Sequence, residues 1–179
     1  MKILNLFKNK VKFPPEQLEQ LFYAYAIPIL KNKNMMTTKE YCQHGNTSCY
    51  LHSISVAYYS LRLANVLRLN YDLESLIKGA LLHDYFLYDW HKKSKNHRLH
   101  GFSHPVVALK NAKKEYVLND IETDIIIKHM FPLTILPPIY KESILVCLVD
   151  KICSIKEVFY FGLQKIYHIE LKINLYTTI

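Results

Sequence analysis

Residues Asp72 to Asp84 read DLESLIKGALLHD, and this stretch decides the fold. Leu73, Ile77, Ala80, Asp84 and Leu87 recur at steps of three and four, the period of an α-helix with one apolar face. Asp72 stands where a carboxylate can accept from the free N–H groups of a first turn. The spacing therefore predicts a helix over about 72–88. One member of its apolar row is an acid. Asp84 lies in line with Ile77, Ala80 and Leu87, where a buried carboxylate is costly unless it is paired, protonated or bound to a metal.

The same period extends outward in both directions. His52, Val56, Tyr59, Leu63 and Val66 form one stripe on a helix over about 51–69. Pro14 and Pro15 can open an earlier helix, over about 14–30. On the other side, Asp89 to Ser103 reads as a basic loop, and His104-Pro105 can start a helix because proline is tolerated at the first helical position. Asn119 or Asp120 can cap another, with Ile121, Ile125 and His129 in one row. Pro132, Pro137 and Pro138 make a rigid connection. A last long helix covers about 140–161, and a short one follows Gly162. Within it Asp150 sits inside Ile144 to Ile155, where the only other charge is Lys151. No segment alternates with period two for long, so the fold class is all-α. The chain reads as a single domain over 1–179, with its core at about 44–160.

Composition bounds the function. The chain has 179 residues, 50% of them hydrophobic and 21% charged, which is globular rather than disordered. Lys plus Arg total 23 against 15 acids, a formal charge of +8, which favours an anionic partner or substrate. The basic residues are scattered and form no recognition motif, so nucleic acid ranks last as that partner. The longest strongly apolar run, Leu21 to Leu30, is broken by Pro28 and is too short for a membrane span. Met1 to Phe13 lacks the apolar centre of a secretory signal. Cys42, Cys49, Cys147 and Cys153 have no C-x-x-C spacing and read as reduced thiols of a cytoplasmic protein.

Asp84 is not alone in its anomaly. His52, Asp150 and His129 also interrupt apolar rows. A lone histidine of this kind is most often a hydrogen-bonded core residue. Several, spread over consecutive helices, match the way helix bundles build metal sites from inward-facing imidazoles and carboxylates.

His52, the dipeptide His83-Asp84, and Asp150 follow the order H…HD…D. With His104 and His129 between, the order becomes H…HD…H…H…D. The local contexts are GALLHD, HGFSHP, IIIKHMFPL and LVCLVDKICS. This resembles the HD-domain metal-dependent phosphohydrolase superfamily over about residues 44–160, and in particular its small, stand-alone bacterial members. The resemblance implies an HD-type helical bundle. It implies that His52, His83, Asp84 and Asp150 hold one metal ion, and that Asp84 bridges to a second held by His104 and His129. His83 and Asp84 are the catalytic candidates. Neighbouring residues on a helix diverge by about 100°, so His83 can face one ion while Asp84 reaches between two. Imidazole with carboxylate suits two divalent transition-metal ions: Fe, Mn, Co, Ni or Zn. A metal-bridging hydroxide would then attack a small anionic phosphoester, a nucleotide or dinucleotide.

Other residues carry weaker expectations. His100 rivals His104 as a ligand; Pro105 favours His104 by fixing it at a helix start. His91, Lys92, Lys93, Lys95, His97 and Arg98 form either a solvated basic loop or a phosphate clamp. In the clamp reading Arg98, Lys92, Lys95 and His100 bind substrate phosphate, with Arg98 best suited to bidentate contact. Tyr85-Phe86-Leu87 follows the HD dipeptide and no Gly-Tyr-Pro signature is present, unlike the cyclic-dinucleotide branch. Met130 follows His129 where a second histidine would favour three ions. His44 and His168 read as surface or structural, and Tyr85, Tyr88 and Trp90 as core or pocket wall. Two rivals share the ligand set: a mixed-valence diiron oxygenase, and a non-catalytic signalling or binding module stabilised by metal.

Overall fold

The computed structural model describes residues 12–45, 47–91, 100–159, 166, 168–170 and 172–173, and of residues 44 and 100 the backbone alone. The architecture is all-α, as the period predicts. Helix α1 (Pro15–Leu30) and the short α2 (Lys33–Thr37) lead through a 3-10 turn to a hairpin, β1 (Cys42–His44) and β2 (Thr47–Ser48). Then come α3 (Cys49–Val66), α4 (Leu73–Leu82), α5 (His100–Glu115), α6 (Asp120–Lys128) and α7 (Lys141–Val158). Ile166, 168–170 and 172–173 are helical too, within the tail expected to form a short helix.

Helix α4 is the axis of the bundle. It touches α1, α3, α5, α6 and α7. Leu76, Ile77, Ala80, Leu81 and Leu82 are all fully buried, and in the second half of this ten-residue helix only Lys78 reaches solvent. Gly79 lets α6 approach it closely. A Cβ at that position would lie 2.5 Å from Ile125 Cδ1 and 3.1 Å from Ile125 Cβ.

Side-chain caps fix where the helices begin. Asp72 accepts from the Ser75 N–H at 2.7 Å, as its position in the sequence predicts. Ser48 accepts from Leu51 N–H at the start of α3. Asn119 and Glu122 form a reciprocal capping box on α6, which satisfies two otherwise unpaired donors.

Several boundaries differ from the sequence reading. The central helix ends at Leu82, not near Tyr88; His83 is its C-cap, and Leu87 takes a left-handed φ of 60°. Periodicity continues past Asp84, but the backbone turns there. Helix α5 starts at His100, so His104 and Pro105 lie within it rather than at its head. Only the first four N–H groups of a helix lack a partner, so Pro105 costs this one about one hydrogen bond. Helix α1 runs through Pro28 to Leu30, within the bounds expected for it. Helix α7 stops at Val158. The hairpin was not expected, because strands of three and two residues are too short to show alternation.

Candidate metal centre

Five segments bring buried polar side chains to one point. His52 comes from the first turn of α3, His83 and Asp84 from the end of α4, His104 from α5, His129 from the C-cap of α6, and Asp150 from the middle of α7. His52 and His83 are fully buried, and Asp84, His104, His129 and Asp150 nearly so.

The carboxylate of Asp84 divides the cluster. Its Oδ2 lies 3.3 Å from His83 Nε2 and 3.7 Å from His52 Nε2. Asp150 Oδ1 joins that side, 3.1 Å from His52 Nε2 and 3.7 Å from His83 Nε2. The other oxygen of Asp84, Oδ1, faces His104 Nε2 at 3.2 Å and His129 Nε2 at 3.4 Å. Asp84 thus has His52, His83 and Asp150 on the side of one oxygen and His104 and His129 on the side of the other, and His129 also lies within ligand reach of His83 and Asp150.

Ring orientation is set by the nitrogens that face away. His83 Nδ1 donates to the Ala80 carbonyl at 2.7 Å, and His129 Nδ1 to the Ile126 carbonyl at 2.8 Å. A helix carbonyl three residues back can only accept, so each ring carries its proton on Nδ1. In the neutral tautomer Nε2 is then a lone pair aimed into the cluster. His52 does the same with a carboxylate: Nδ1 donates to Glu157 Oε2 at 2.8 Å.

This arrangement fits a metal better than it fits hydrogen bonds. His83 Nε2 and Asp84 Oδ1 are buried with no aligned hydrogen-bond partner among the described residues. His104 Nε2 and His129 Nε2 stand 2.8 Å apart. His129 carries its proton on Nδ1, so its Nε2 is a lone pair that must meet either a proton on His104 Nε2 or a cation. Buried polar atoms without partners cost about 1–3 kcal/mol each, so a cluster of them needs a compensating charge. Imidazole nitrogens with carboxylate oxygens are the donor set of divalent transition metals.

The electrostatics follow from burial and neighbours. Burial pushes the Asp84 carboxyl up, but His83, His104 and His129 outweigh it and hold it well below the usual carboxylate range. Burial is likewise overcome at Asp150, where His52 and His83 pull the carboxyl down. Burial opposes charging of His83, yet Asp84 and Asp150 raise it from 6.5 to about 9. Burial also opposes charging of His52, and is outweighed by Glu157 and Asp150, so this ring is raised well above its ordinary value. His129 moves the other way, lowered first by its burial.

The cluster forms the floor of an open cavity of about 900 Å³. Trp90, Met130, Pro132, Leu133 and Ile155 make its apolar wall, beside Asp84, His104, His129 and Asp150. Lys151 also lines it, but its ammonium donates to the carbonyls of His129 at 2.9 Å and Cys147 at 3.1 Å. The lysine thus ties α7 to the end of α6 that carries His129.

All six side chains expected as ligands meet here. His104, not its rival, is seen in the cluster; the His100 side chain lies outside the described residues. So do Lys92, Lys93, Lys95, His97 and Arg98, the expected phosphate clamp. Trp90 lines the cavity and Tyr85 is core, its hydroxyl on Glu115. His168 is exposed. Two contributors escaped the sequence reading. Gln43, in the hairpin, donates from Nε2 to Asp84 Oδ2 at 2.6 Å, and no period marks it. Glu157 lies seven residues beyond Asp150, two turns along the same helix face, and that spacing was a legible signal.

An all-α bundle with imidazole and carboxylate donors converging in its core is arranged as helix bundles arrange metal sites. The HD domain family model matches residues 49–155, well over half of the chain, and the chain belongs to that family. HD domains bind divalent metals and are of the metal-dependent phosphohydrolase type. No curated protein and no solved structure matches the chain. No helix among the described residues is long and apolar enough to cross a membrane.

Proposed function

We propose that this chain is a metal-dependent phosphohydrolase that cleaves a small phosphoester, with His52, His83, Asp84, His104, His129 and Asp150 as its ligands. The observation that supports this reading is the division of the Asp84 carboxylate between two donor groups. When bound, two divalent transition-metal ions supply Lewis acidity towards phosphate oxygens and an activated water at neutral pH.

The chain's own residues do the rest. Asp84 holds the two donor groups at a fixed separation. The Nδ1 hydrogen bonds of His52, His83 and His129 lock those rings before substrate arrives. Burial of the cluster keeps bulk water from weakening its electrostatics. A side-chain nucleophile is not required, and the cysteines nearest the cluster are poor ones. Burial, followed by Asp84, pushes the Cys49 thiol up, and burial followed by Glu157 does the same at Cys153. The cavity volume suits a small organic phosphate. A nucleotide or dinucleotide accords with the +8 charge and with an indole in the wall. Four free thiols accord with a cytoplasmic location.

A second reading, a mixed-valence diiron oxygenase, is favoured by the same donor set, because four imidazoles and two carboxylates serve iron as well as manganese or zinc. Oxygen dependence separates the two. The Mn-loaded chain is assayed under strictly anaerobic conditions against mononucleotides, dinucleoside polyphosphates and simple phosphomonoesters. Hydrolysis there, abolished in Asp84→Ala and His83→Ala, is the expected result. Turnover only with iron and O₂ would replace the hydrolase with the oxygenase. Bound metal without turnover in either condition would leave a metal-stabilised binding module.

A further inference from the structure

The geometry points to Glu157 as a positioning residue that sets the metal affinity of His52, an inference that rests on the metal-centre reading above. Glu157 stands in the last turns of α7, beyond residue 155, where the family match ends. It is 2% exposed, and His52 is fully buried. Glu157 Oε2 accepts from His52 Nδ1 at 2.8 Å. Its second oxygen, Oε1, is buried and accepts no hydrogen bond from the described residues. Among the described residues no lysine or arginine nitrogen lies within 4.0 Å of it, so the His52 ring is its one charge partner there.

A carboxylate buried on those terms needs a reason. Taking it out of water costs several kcal/mol unless a partner carries positive charge. A neutral imidazole supplies a polar N–H and little more, so the ring must carry positive charge, from a proton on Nε2 facing Asp150 in the metal-free chain or from a cation bound there. An imidazole whose Nε2 is bound to a cation carries that charge through the ring, and its Nδ1 proton becomes a strong donor. Carboxylate and metal therefore reinforce one another across His52. The carboxylate fixes the tautomer, aims the ring and makes Nε2 a better donor.

The other rings show the contrast. His83 and His129 give their Nδ1 protons to neutral main-chain carbonyls. His52 gives its proton to a charged group. Of these three rings His52 is thus the strongest donor, on the side of His83 and Asp150. The seat of Glu157 is also closed by the hairpin. Gly45 adopts a φ of +56°, and a Cβ there would lie 3.1 Å from the Glu157 carbonyl oxygen. The same hairpin carries Gln43, which holds Asp84. Both supports of this side of the centre therefore meet at one place, where α7 and the hairpin touch.

The test uses the purified full-length chain and Zn(II), with affinity read by chelator competition. Glu157→Gln keeps the size and one acceptor oxygen but removes the charge. In a His104→Ala background, which retains the His52 side, Glu157→Gln is expected to weaken Zn(II) binding about ten- to a hundred-fold. In a His52→Ala background the same substitution is expected to change affinity by less than about two-fold, since its effect runs through the missing ring. The His52 Nδ1 proton, a downfield resonance in the metal-loaded chain, should move upfield in Glu157→Gln. Equal weakening in both backgrounds would show that Glu157 acts through the fold and would overturn the proposal, as would no weakening in either. If Glu157→Gln does not fold, Glu157→Asp keeps the charge but withdraws it from Nδ1, and the same pair of backgrounds decides. An unsubstituted chain that binds no metal would defeat the metal-centre reading itself, before any substitution is made.

Discussion

Gln43 donates from Nε2 to Asp84 Oδ2 at 2.6 Å, and both residues are buried. Gln43 is held in turn by Cys49, whose Sγ donates to its Oε1 at 3.1 Å. The hairpin thereby pins one oxygen of the carboxylate that both donor groups share. A hydrogen bond to a charged group contributes about 1.5–3 kcal/mol. Gln43→Leu is therefore expected to destabilise the metal-free chain by about that amount, read from urea unfolding, and to lower metal affinity several-fold. Unchanged stability and affinity would show that the hairpin does not support Asp84.

Asp84 and His104 should differ in what they release. Asp84→Ala removes the donor common to both groups, so metal content should fall close to zero. His104→Ala removes one donor from one group and should lose mainly one ion. Elemental analysis of the folded variants decides this. Full metal content in Asp84→Ala would refute its bridging role. Binding to the native state alone stabilises it by mass action, at about 2.7 kcal/mol for free metal at a hundred times Kd, so the metal-loaded chain should also melt higher than the chelated one.

The pH response should differ with and without metal. In the metal-free chain the His83 pKa is raised from 6.5 to about 9, despite burial, by Asp84 and Asp150. A raised pKa means that the folded state holds the proton more tightly. That stabilisation is complete below 6.5 and is lost as the pH rises through about 9. Metal needs Nε2 unprotonated, so uptake releases protons and apparent affinity climbs over the same window. Thermal melts from pH 6 to 10, with and without chelator, should show the chelated chain weakening while the loaded chain holds. A chelated chain of constant stability across that range would contradict the His83 assignment.

Gly79 should not tolerate a side chain. A Cβ there meets three atoms of Ile125 at 2.5 to 3.2 Å, including its Cβ, so rotation of one methyl does not relieve the clash. Gly79→Ala gains up to about 1 kcal/mol in helix propensity. Overpacking of a close helix contact costs about 1–3 kcal/mol. The net expectation is a lower melting temperature, with metal content kept if the cluster is undisturbed. A stabilised Gly79→Ala would mean that α6 can shift away from α4 at little cost.

The sequence by itself determined the fold class and singled out the six side chains that the fold brings together. Helical period is a local property, and an acid such as Asp84 in an apolar row is legible wherever the row is. The order of His52, His83-Asp84, His104, His129 and Asp150 needed no coordinates. Tertiary structure decided what lies between and around them. That Oδ1 of Asp84 turns to one pair of imidazoles and Oδ2 to another follows from how α4 ends at Leu82, and periodicity runs past that end without marking it. Gln43 and Glu157 join the centre through packing between residues far apart in the chain. The His52–Glu157 contact spans 105 positions and the Gln43–Asp84 contact 41. Such contacts depend on which helix faces meet, and a one-dimensional pattern records only that each helix has a face.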